Sequence, residues 1–434
     1  MSRVVVVGSG FGGLATSVRL AKIGHDVTLV EASSDLGGAL LPVTEGDFTW
    51  NPIATTVLPA VTRDLFRKSG RALETELELE QVPLARQHHF EDDTILDLPS
   101  GSRGEQQASI EAALGAKAAR QWTHYVDQFV PVWEAMRRDV YERPWSPEHA
   151  SKETLDLLKS RLTMYRMVRR DLHDKRLQAM ALHPAIIDGH NPRDVPAWMG
   201  LWAYVEENFG TWRPIGGMSA LRDALINRLE TRKVTTLTST PVNDLAIEGG
   251  RVVGVRTSEG SIDADVVVLA NDPRRLPAVA ELVRKTTPAI PPVVTHLGLV
   301  GDVPQLPGEV VFHGEPTIVV RPEPTMPEGT AAWTVMARGR IAEDLVNVLH
   351  RNGLKVRKNI EVRVDHSPRT LVEKWNGSPL GTVWQGRATF EQRLGPSTPI
   401  AGLYVAGSHS KIGSGLPAVG LSAASVAALI GTAQ

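Results

Sequence analysis

Arg3-Val4-Val5-Val6-Val7-Gly8-Ser9-Gly10-Phe11-Gly12-Gly13, continuing through Leu14 to Ile23 and then Asp26 to Glu31, is the stretch on which the fold turns. Four consecutive valines read as a buried strand, and the glycines after them as a tight turn. Ala15, Val18 and Leu20 give the next segment an apolar helical face, Gly24 ends it, and Asp26 to Glu31 returns as a second strand. Strand, turn, helix and strand make a βαβ unit, which demands a parallel sheet. Within it Gly8 permits the turn, Gly10 lets the backbone approach a pyrophosphate, and Gly13 lets the helix pack close to the strand. The N-terminus of the helix then faces the phosphates. Glu31 closes the second strand where a carboxylate accepts hydrogen bonds from ribose hydroxyls and disfavours a 2′-phosphate.

The rest of the composition narrows what such a site serves. The 434 residues are 42% hydrophobic and 22% charged, the make-up of an ordinary globular protein, and the length suggests two domains. A formal net charge of −2 gives no electrostatic footprint for nucleic acid. With no cysteine there is no disulfide, thiolate metal site or redox dithiol, so redox chemistry needs a bound cofactor. No histidine pair has ligand-like spacing, and no metal is expected. Neither a signal-like N-terminus nor a run of about 18 apolar residues is present, so a cytoplasmic location is the expectation.

Gly37-Gly38 follows Glu31 by six residues. This second pair resembles the extended fingerprint of glutathione-reductase-type FAD proteins, where the chain passes close to the cofactor, and it favours FAD over NAD. That pattern usually continues with Arg, Lys or Thr, whose side chain reaches a phosphate or ribityl oxygen; here Ala39 stands in its place. Near the C-terminus Gly402 to Gly407 reads as a strand opening into a glycine loop, Ser408 to Gly415. A helix rich in small residues follows, Leu416 to Ile430, with Pro417 suited to its first turn. Such a helix can approach the flavin ring closely and stabilise negative charge at its edge. In the middle, Pro214-Ile215-Gly216-Gly217-Met218 precedes a helix over Ser219 to Leu229. Strands are expected over Val234–Leu237, Val242–Ile247, Arg251–Thr257 and Asp263–Ala270, with a hairpin turn at Gly249-Gly250.

Taken together, Gly216-Gly217-Met218, Ala264 to Val267 before Asn271-Asp272-Pro273, Ser378-Pro379-Leu380-Gly381, and Gly407-Ser408-His409-Ser410 before Gly413 to Pro417 resemble the phytoene-desaturase-like branch of the flavin amine oxidase superfamily. Amine oxidases more often carry an acid where this chain has Ser408. The resemblance implies an α/β fold, with a glutathione-reductase-type, Rossmann-like FAD domain and a discontinuous α+β substrate domain. The FAD domain would comprise residues 1–82, 214–287 and 395–434, and the substrate domain 83–213 and 288–394. It also implies cofactor contacts from Gly8, Gly10, Phe11, Gly12, Gly13, Glu31, Gly37, Gly38 and Ala39. Further contacts would come from the backbone at Asn51, Pro52 and Ile53, from Val242 beside the adenine, and from Gly407, Ser408, Leu416, Pro417 and Val419.

Flavin dehydrogenation needs a substrate C–H held against the ring and water kept away, so the lack of a catalytic triad is no objection. The resemblance places Trp212 near the flavin face, while His409 and Lys411 in the C-terminal loop are candidates to donate to the flavin or move a proton. Trp50, flanked by apolar residues, fits a core position better than an active-site wall. Three readings stay open: an enzyme that introduces or removes a carbon–carbon double bond in an apolar, isoprenoid-like molecule, an amine oxidase, and a flavin-binding protein without turnover. No second dinucleotide fingerprint is visible to house a nicotinamide.

Residues 151 to 178 raise a question of partners. Leu155, Leu158, Leu162, Tyr165, Met167 and Leu172 recur at roughly helical spacing. Among them Lys159, Arg161, Arg166, Arg169, Arg170 and Lys175 form a locally basic set. The pattern predicts either a core-facing helix with a solvated side or a basic amphipathic helix in peripheral contact with anionic lipid.

Overall fold

In the computed structural model, which describes residues 1–324 and 326–433, Val4 to Val7 are almost fully buried. A strand with both faces covered belongs in the middle of a parallel sheet. Arg3–Val7 indeed pairs in parallel with Asp26–Val30 on one side and Val266–Leu269 on the other. Thr235–Leu237 and Leu403–Val405 complete a five-stranded parallel sheet at its two edges. Three segments far apart in sequence therefore build one sheet.

The helices Phe11–Lys22 and Leu416–Ile430 cover one face of this sheet, together with Ala60–Ser69 and Met218–Thr231. The opposite face is covered by a three-stranded antiparallel sheet, Val242–Glu248, Arg251–Thr257 and Gly260–Asp263. The single strand expected over Asp263–Ala270 is two: Gly260–Asp263 ends the antiparallel sheet, and Val266–Leu269 enters the parallel one.

A second, seven-stranded sheet takes Leu84–His89 and Ile95–Pro99 from early in the chain and its other five strands from Val293 to His366. Against it lies a helical layer, from Arg103–Leu114 to Leu201–Phe209, with an aromatic core that includes Trp122, Tyr125, Phe129, Trp133 and Trp198. Trp50 is fully buried between Phe48 and His296, and its indole N–H donates to the Leu297 carbonyl at 3.3 Å, so it is core.

The continuous amphipathic helix over 151–178 does not form. The stretch makes three helices, Lys152–Lys159, Met164–Asp171 and Lys175–Ile187, and each has its own side-chain cap. Ser151 accepts from the Thr154 amide, Thr163 from Arg166 and Asp174 from Arg176. Leu158, Met167 and Leu172 point into the helical core, while the six bases stay exposed. The apolar face that would lie on a membrane is thus already spent on packing. Among the described residues no helix is long and apolar enough to cross a membrane.

Candidate functional site

The loops that leave the carboxyl ends of three parallel strands meet at one place, the position where open α/β sheets bind ligands. After Arg3–Val7, Gly8 takes φ +93°, and a Cβ on Gly13 would stand 1.8 Å from the Gly8 carbonyl oxygen, so this turn and this helix cannot fit together with any larger residue at 13. After Leu403–Val405, the Gly407 turn comes so close that a Cβ on Gly12 would lie 2.8 Å from the Gly407 Cα. Val419 lies under Gly12, and Phe11 packs on Gly420. Gly38 rests on Gly10, at 3.0 Å from a Cβ built on Gly38 to the Gly10 Cα, and the Gly37 amide donates to the Ser9 hydroxyl at 3.1 Å. Ala39 sits in the short turn Gly38–Leu40. The Ser378 to Gly381 motif backs the C-terminal turn, with no room for a Cβ between Gly381 and the Ser408 carbonyl.

Several features fit an anionic dinucleotide here. The helices Phe11–Lys22 and Leu416–Ile430 both start at glycine and have no side-chain cap, leaving their first amides free for an outside acceptor. Leu416 and Pro417 form the first turn of the second of these. A Cβ on Gly10 or Gly415 would meet nothing within 4 Å, so space remains beside both loops. Asn271 Oδ1 and Ser410 Oγ, in the loops after Val266–Leu269 and Leu403–Val405, are buried with no hydrogen-bond partner among the described residues. Orphaned polar atoms at such a junction are the mark of an absent ligand.

Glu31 is held rigidly. Its Oε2 accepts from both the amide and the hydroxyl of Ser9 at 2.7 Å, and its Oε1 accepts the Ser33 amide at 2.8 Å. The Ser33 hydroxyl has one proton and lies closer to the Asp35 carbonyl, 2.7 Å, than to Oε1, 3.0 Å, which leaves Oε1 an open lone pair for a ribose hydroxyl. The chain at Leu237 to Thr240, just before Val242, runs alongside: the Glu31 amide donates to the Leu237 carbonyl, and the Thr240 amide to the Glu31 carbonyl. Glu31→Gln is expected to weaken FAD binding roughly 10- to 100-fold, since it replaces charge-assisted bonds and turns an NH₂ group toward an N–H donor. Equilibrium titration of apoprotein checks this, and an unchanged dissociation constant would overturn the assignment.

The three residues named from sequence as chemical candidates have these surroundings. In the strand Thr211–Pro214, Thr211 and Arg213 face a cavity, so Trp212 points to the opposite side; its indole donates to the Phe209 carbonyl and lies under Arg63. His409 is buried, and its Nδ1 accepts from the Arg274 guanidinium at 3.0 Å, which puts the proton on Nε2. Burial lowers its pKa to about 4 against the pull of Asp272. With Arg274 also holding Asp272 and Thr286, this histidine ties the loop after Leu269 to the C-terminal loop. Lys411 pairs with Glu391 at 2.7 Å over the Phe390 ring.

The cavity itself, about 610 Å³, lies between residues 51–55 and 211–217 on one side and the seven-stranded sheet and the helix Lys175–Ile187 on the other. Asn51 anchors its wall, donating to Glu323 from both its amide and its side chain and accepting the Ser219 amide, which starts the helix Met218–Thr231. The Pro52 carbonyl accepts from Arg321, and Ile53 packs into the core on the sheet side. The lining holds Arg86, Glu309 and Arg321, members of a half-buried ionic chain that sequence reading missed and that runs Glu206, Arg86, Glu309 and Arg321 in succession. Beside it His183 is 3% exposed with Nδ1 unpartnered, and the Asp188 carboxyl has no hydrogen-bond partner among the described residues. Burial raises Asp188 to about 6 although Arg321 and Arg338 act to lower it. No group of acids and histidines among the described residues is arranged to hold a metal ion.

A family model for flavin containing amine oxidoreductases matches residues 11–303, about two thirds of the chain. Hydroxyneurosporene desaturase of Cereibacter sphaeroides is 32% identical over 63% of this chain, a match that spans 57% of that protein's length. Hydroxyneurosporene desaturase of Rhodobacter capsulatus is 26% identical over 95% of this chain and 94% of its own. Among solved structures, cyclohexylamine oxidase of Brevibacterium oxydans superposes with a TM-score of 0.66 over 99% of both chains at 15% identity, a likeness of fold alone.

Proposed function

The chain belongs to the flavin containing amine oxidoreductase family with FAD as its cofactor, and on that premise we propose that it introduces or removes a carbon–carbon double bond in an isoprenoid-like molecule bearing a polar end group. The observation that carries this reading is the double use of one wall. Asn51 and Gly217 line the cavity, and Asn51 also accepts the Ser219 amide at the start of the helix Met218–Thr231, which packs on the five-stranded sheet, so one wall serves both parts of the molecule and supports a substrate in the cavity meeting the cofactor side.

The bound flavin supplies the acceptor for hydride from a C–H bond. The protein's part is to hold that bond in place and keep water out. Thr211, Arg213 and Asn51 shape the near end of the cavity, and His183 and Asp188 receive the far end. A hydroxyl suits those two groups, donating its one proton to the Asp188 carboxylate and accepting from the unpartnered imidazole nitrogen of His183. An ammonium ion would meet Asp188 too, but it would enter beside Arg86 and Arg321, whereas a neutral hydroxyl needs no counter-charge. The apolar part of the substrate has Trp333, Leu84, Ile187 and Leu306 to pack against. Collection from a bilayer would rest on the exposed bases of residues 159–175 alone, without an apolar face to insert.

Anaerobic titration of the flavoprotein with a hydrocarbon polyene, its terminally hydroxylated derivative and aliphatic amines tests the proposal through flavin absorbance. The hydroxylated isoprenoid is expected to bleach the flavin at concentrations about tenfold below the hydrocarbon, the worth of one buried hydrogen bond. Bleaching by amines only would make the protein an amine oxidase, and a flavin that none of the three bleaches when oxidised or reoxidises when reduced would make it a binding protein.

A further inference from the structure

The glycine-bearing loops of the dinucleotide site carry no free cation. Residues 8–13 and 37–40 contain no basic side chain, and in the loop 408–415 Lys411 is committed to Glu391 and His409 is neutral. A pyrophosphate carries two negative charges, which the uncapped helix termini compensate only in part. The structure sets an arginine from elsewhere in the chain against the loop 37–40. Arg222 lies on the helix Met218–Thr231, and a Cβ built on Gly37 would stand 2.6 Å from its Cδ and 2.9 Å from its Cγ. Its aliphatic stem therefore lies flat across Gly37, one layer from Gly10 through Gly38. Its Nε is buried and has no acceptor among the described residues, and its guanidinium is paired with the carboxylate of the adjoining Asp223, at 3.0 Å, with 58% of that side chain exposed.

We infer that Arg222 is the cation of the FAD pyrophosphate site, reaching over Gly37 from a neighbouring helix to serve the position that Ala39 leaves without charge. This inference rests on FAD being the cofactor. It also explains Gly37 from within the chain, since any side chain there would displace the arginine stem. The alternative is an arginine that only packs its stem on a surface turn. The two differ in one respect: packing needs the methylenes, and phosphate binding needs the charge.

The test is equilibrium binding of FAD, ADP and adenosine to apoprotein at low and high salt, with Arg222→Gln, Arg222→Lys and the double variant Ala39→Arg/Arg222→Gln. Arg222→Gln keeps most of the stem and is expected to weaken FAD and ADP alike, by about 10- to 100-fold, as loss of charge-assisted phosphate bonds does. Adenosine, without phosphate, should bind as to the unaltered protein. Arg222→Lys should fall between, Ala39→Arg should restore part of the loss, and the salt sensitivity of wild-type FAD binding should diminish in Arg222→Gln. Equal FAD affinity in wild type and Arg222→Gln overturns the inference while leaving FAD as cofactor. Equal losses for adenosine and ADP would also overturn it, since they report a damaged fold. If Arg222→Gln does not fold, wild-type affinity for ADP no greater than for adenosine at low salt overturns the inference by itself. A wild-type protein that binds no FAD overturns the cofactor reading instead.

Discussion

Gly10→Val is expected to give a folded protein that no longer retains FAD, whereas Gly13→Val is expected to give no folded protein. The two positions are three residues apart in one glycine run, and the structure separates their reasons. Gly10 has φ −58° and ψ 174°, ordinary for any residue, and a Cβ there meets nothing within 4 Å. Nothing inside the protein requires glycine at 10. What requires it is the approach of a phosphate to the free amides of the helix Phe11–Lys22. Added methyl groups would hold the pyrophosphate off two or more amide donors. With charge-assisted bonds worth about 1.5 to 3 kcal/mol each, FAD affinity should drop by more than about 100-fold. A Cβ on Gly13, by contrast, would overlap the Gly8 carbonyl oxygen at 1.8 Å, forcing the helix off the central strand and opening the core of Leu14, Val18 and Val268. Circular dichroism melting and the flavin absorbance of the purified proteins check both. A yellow Gly10→Val protein with full FAD content would mean that the cofactor lies elsewhere.

That contrast also marks what sequence could and could not supply. The βαβ unit is legible because its information is local: the valine run, the turn glycines and the acid at its end lie within thirty residues. The C-terminal loop and helix are legible for the same reason. Side-chain direction in a short strand is not local. Trp212 adjoins the Pro-x-Gly-Gly turn, but which face of Thr211–Pro214 looks into the cavity depends on its pairing with Thr56–Val57 and Leu79–Gln81. The ionic chain of Glu206, Arg86, Glu309 and Arg321 joins residues more than two hundred positions apart, with no motif to link them. Residues 151–178 differ in kind. Ser151, Thr163 and Asp174 are all capping residue types, so the breaks were written in the sequence, and the apolar spacing, read as one period, concealed them.

Stability should be level above pH 7 and fall steeply between pH 6 and pH 4. His88, His183 and His313 form a buried cluster, with His88 Nδ1 and His313 Nε2 2.9 Å apart, ring centroids 5.1 to 6.1 Å apart, and Phe90 stacked on His313. One proton serves the bond between His88 and His313, and His88 Nε2 and His183 Nδ1 have no hydrogen-bond partner among the described residues, so neither nitrogen has a carboxylate in contact to receive an added charge. Burial lowers His88 and His183 well below the usual imidazole value and His313 to about 4; it also lowers His190 to about 4 and His296 to about 3. For a histidine depressed in this way, the folded protein binds fewer protons than the unfolded chain once the pH drops below about 6.5. The favourable contribution is complete above that value and is lost as pH falls toward the folded pKa, at about 1.4 kcal/mol per pH unit for each such group. Several groups acting together can remove much of the roughly 5 to 15 kcal/mol that holds a typical domain, offset in part by Asp188 and Glu207, whose carboxyls burial raises to about 6 and about 7 and which therefore take up protons more readily in the folded protein. Thermal melts from pH 8 to pH 4 should show this fall, and His88→Leu/His313→Leu should have a shallower acid limb than the wild type even if its melting temperature at pH 8 is lower. The same acid slope in both proteins would remove the cluster as the cause, and a melting temperature unchanged between pH 7 and pH 5 would mean that these imidazoles bind protons as readily in the folded protein as in the unfolded chain.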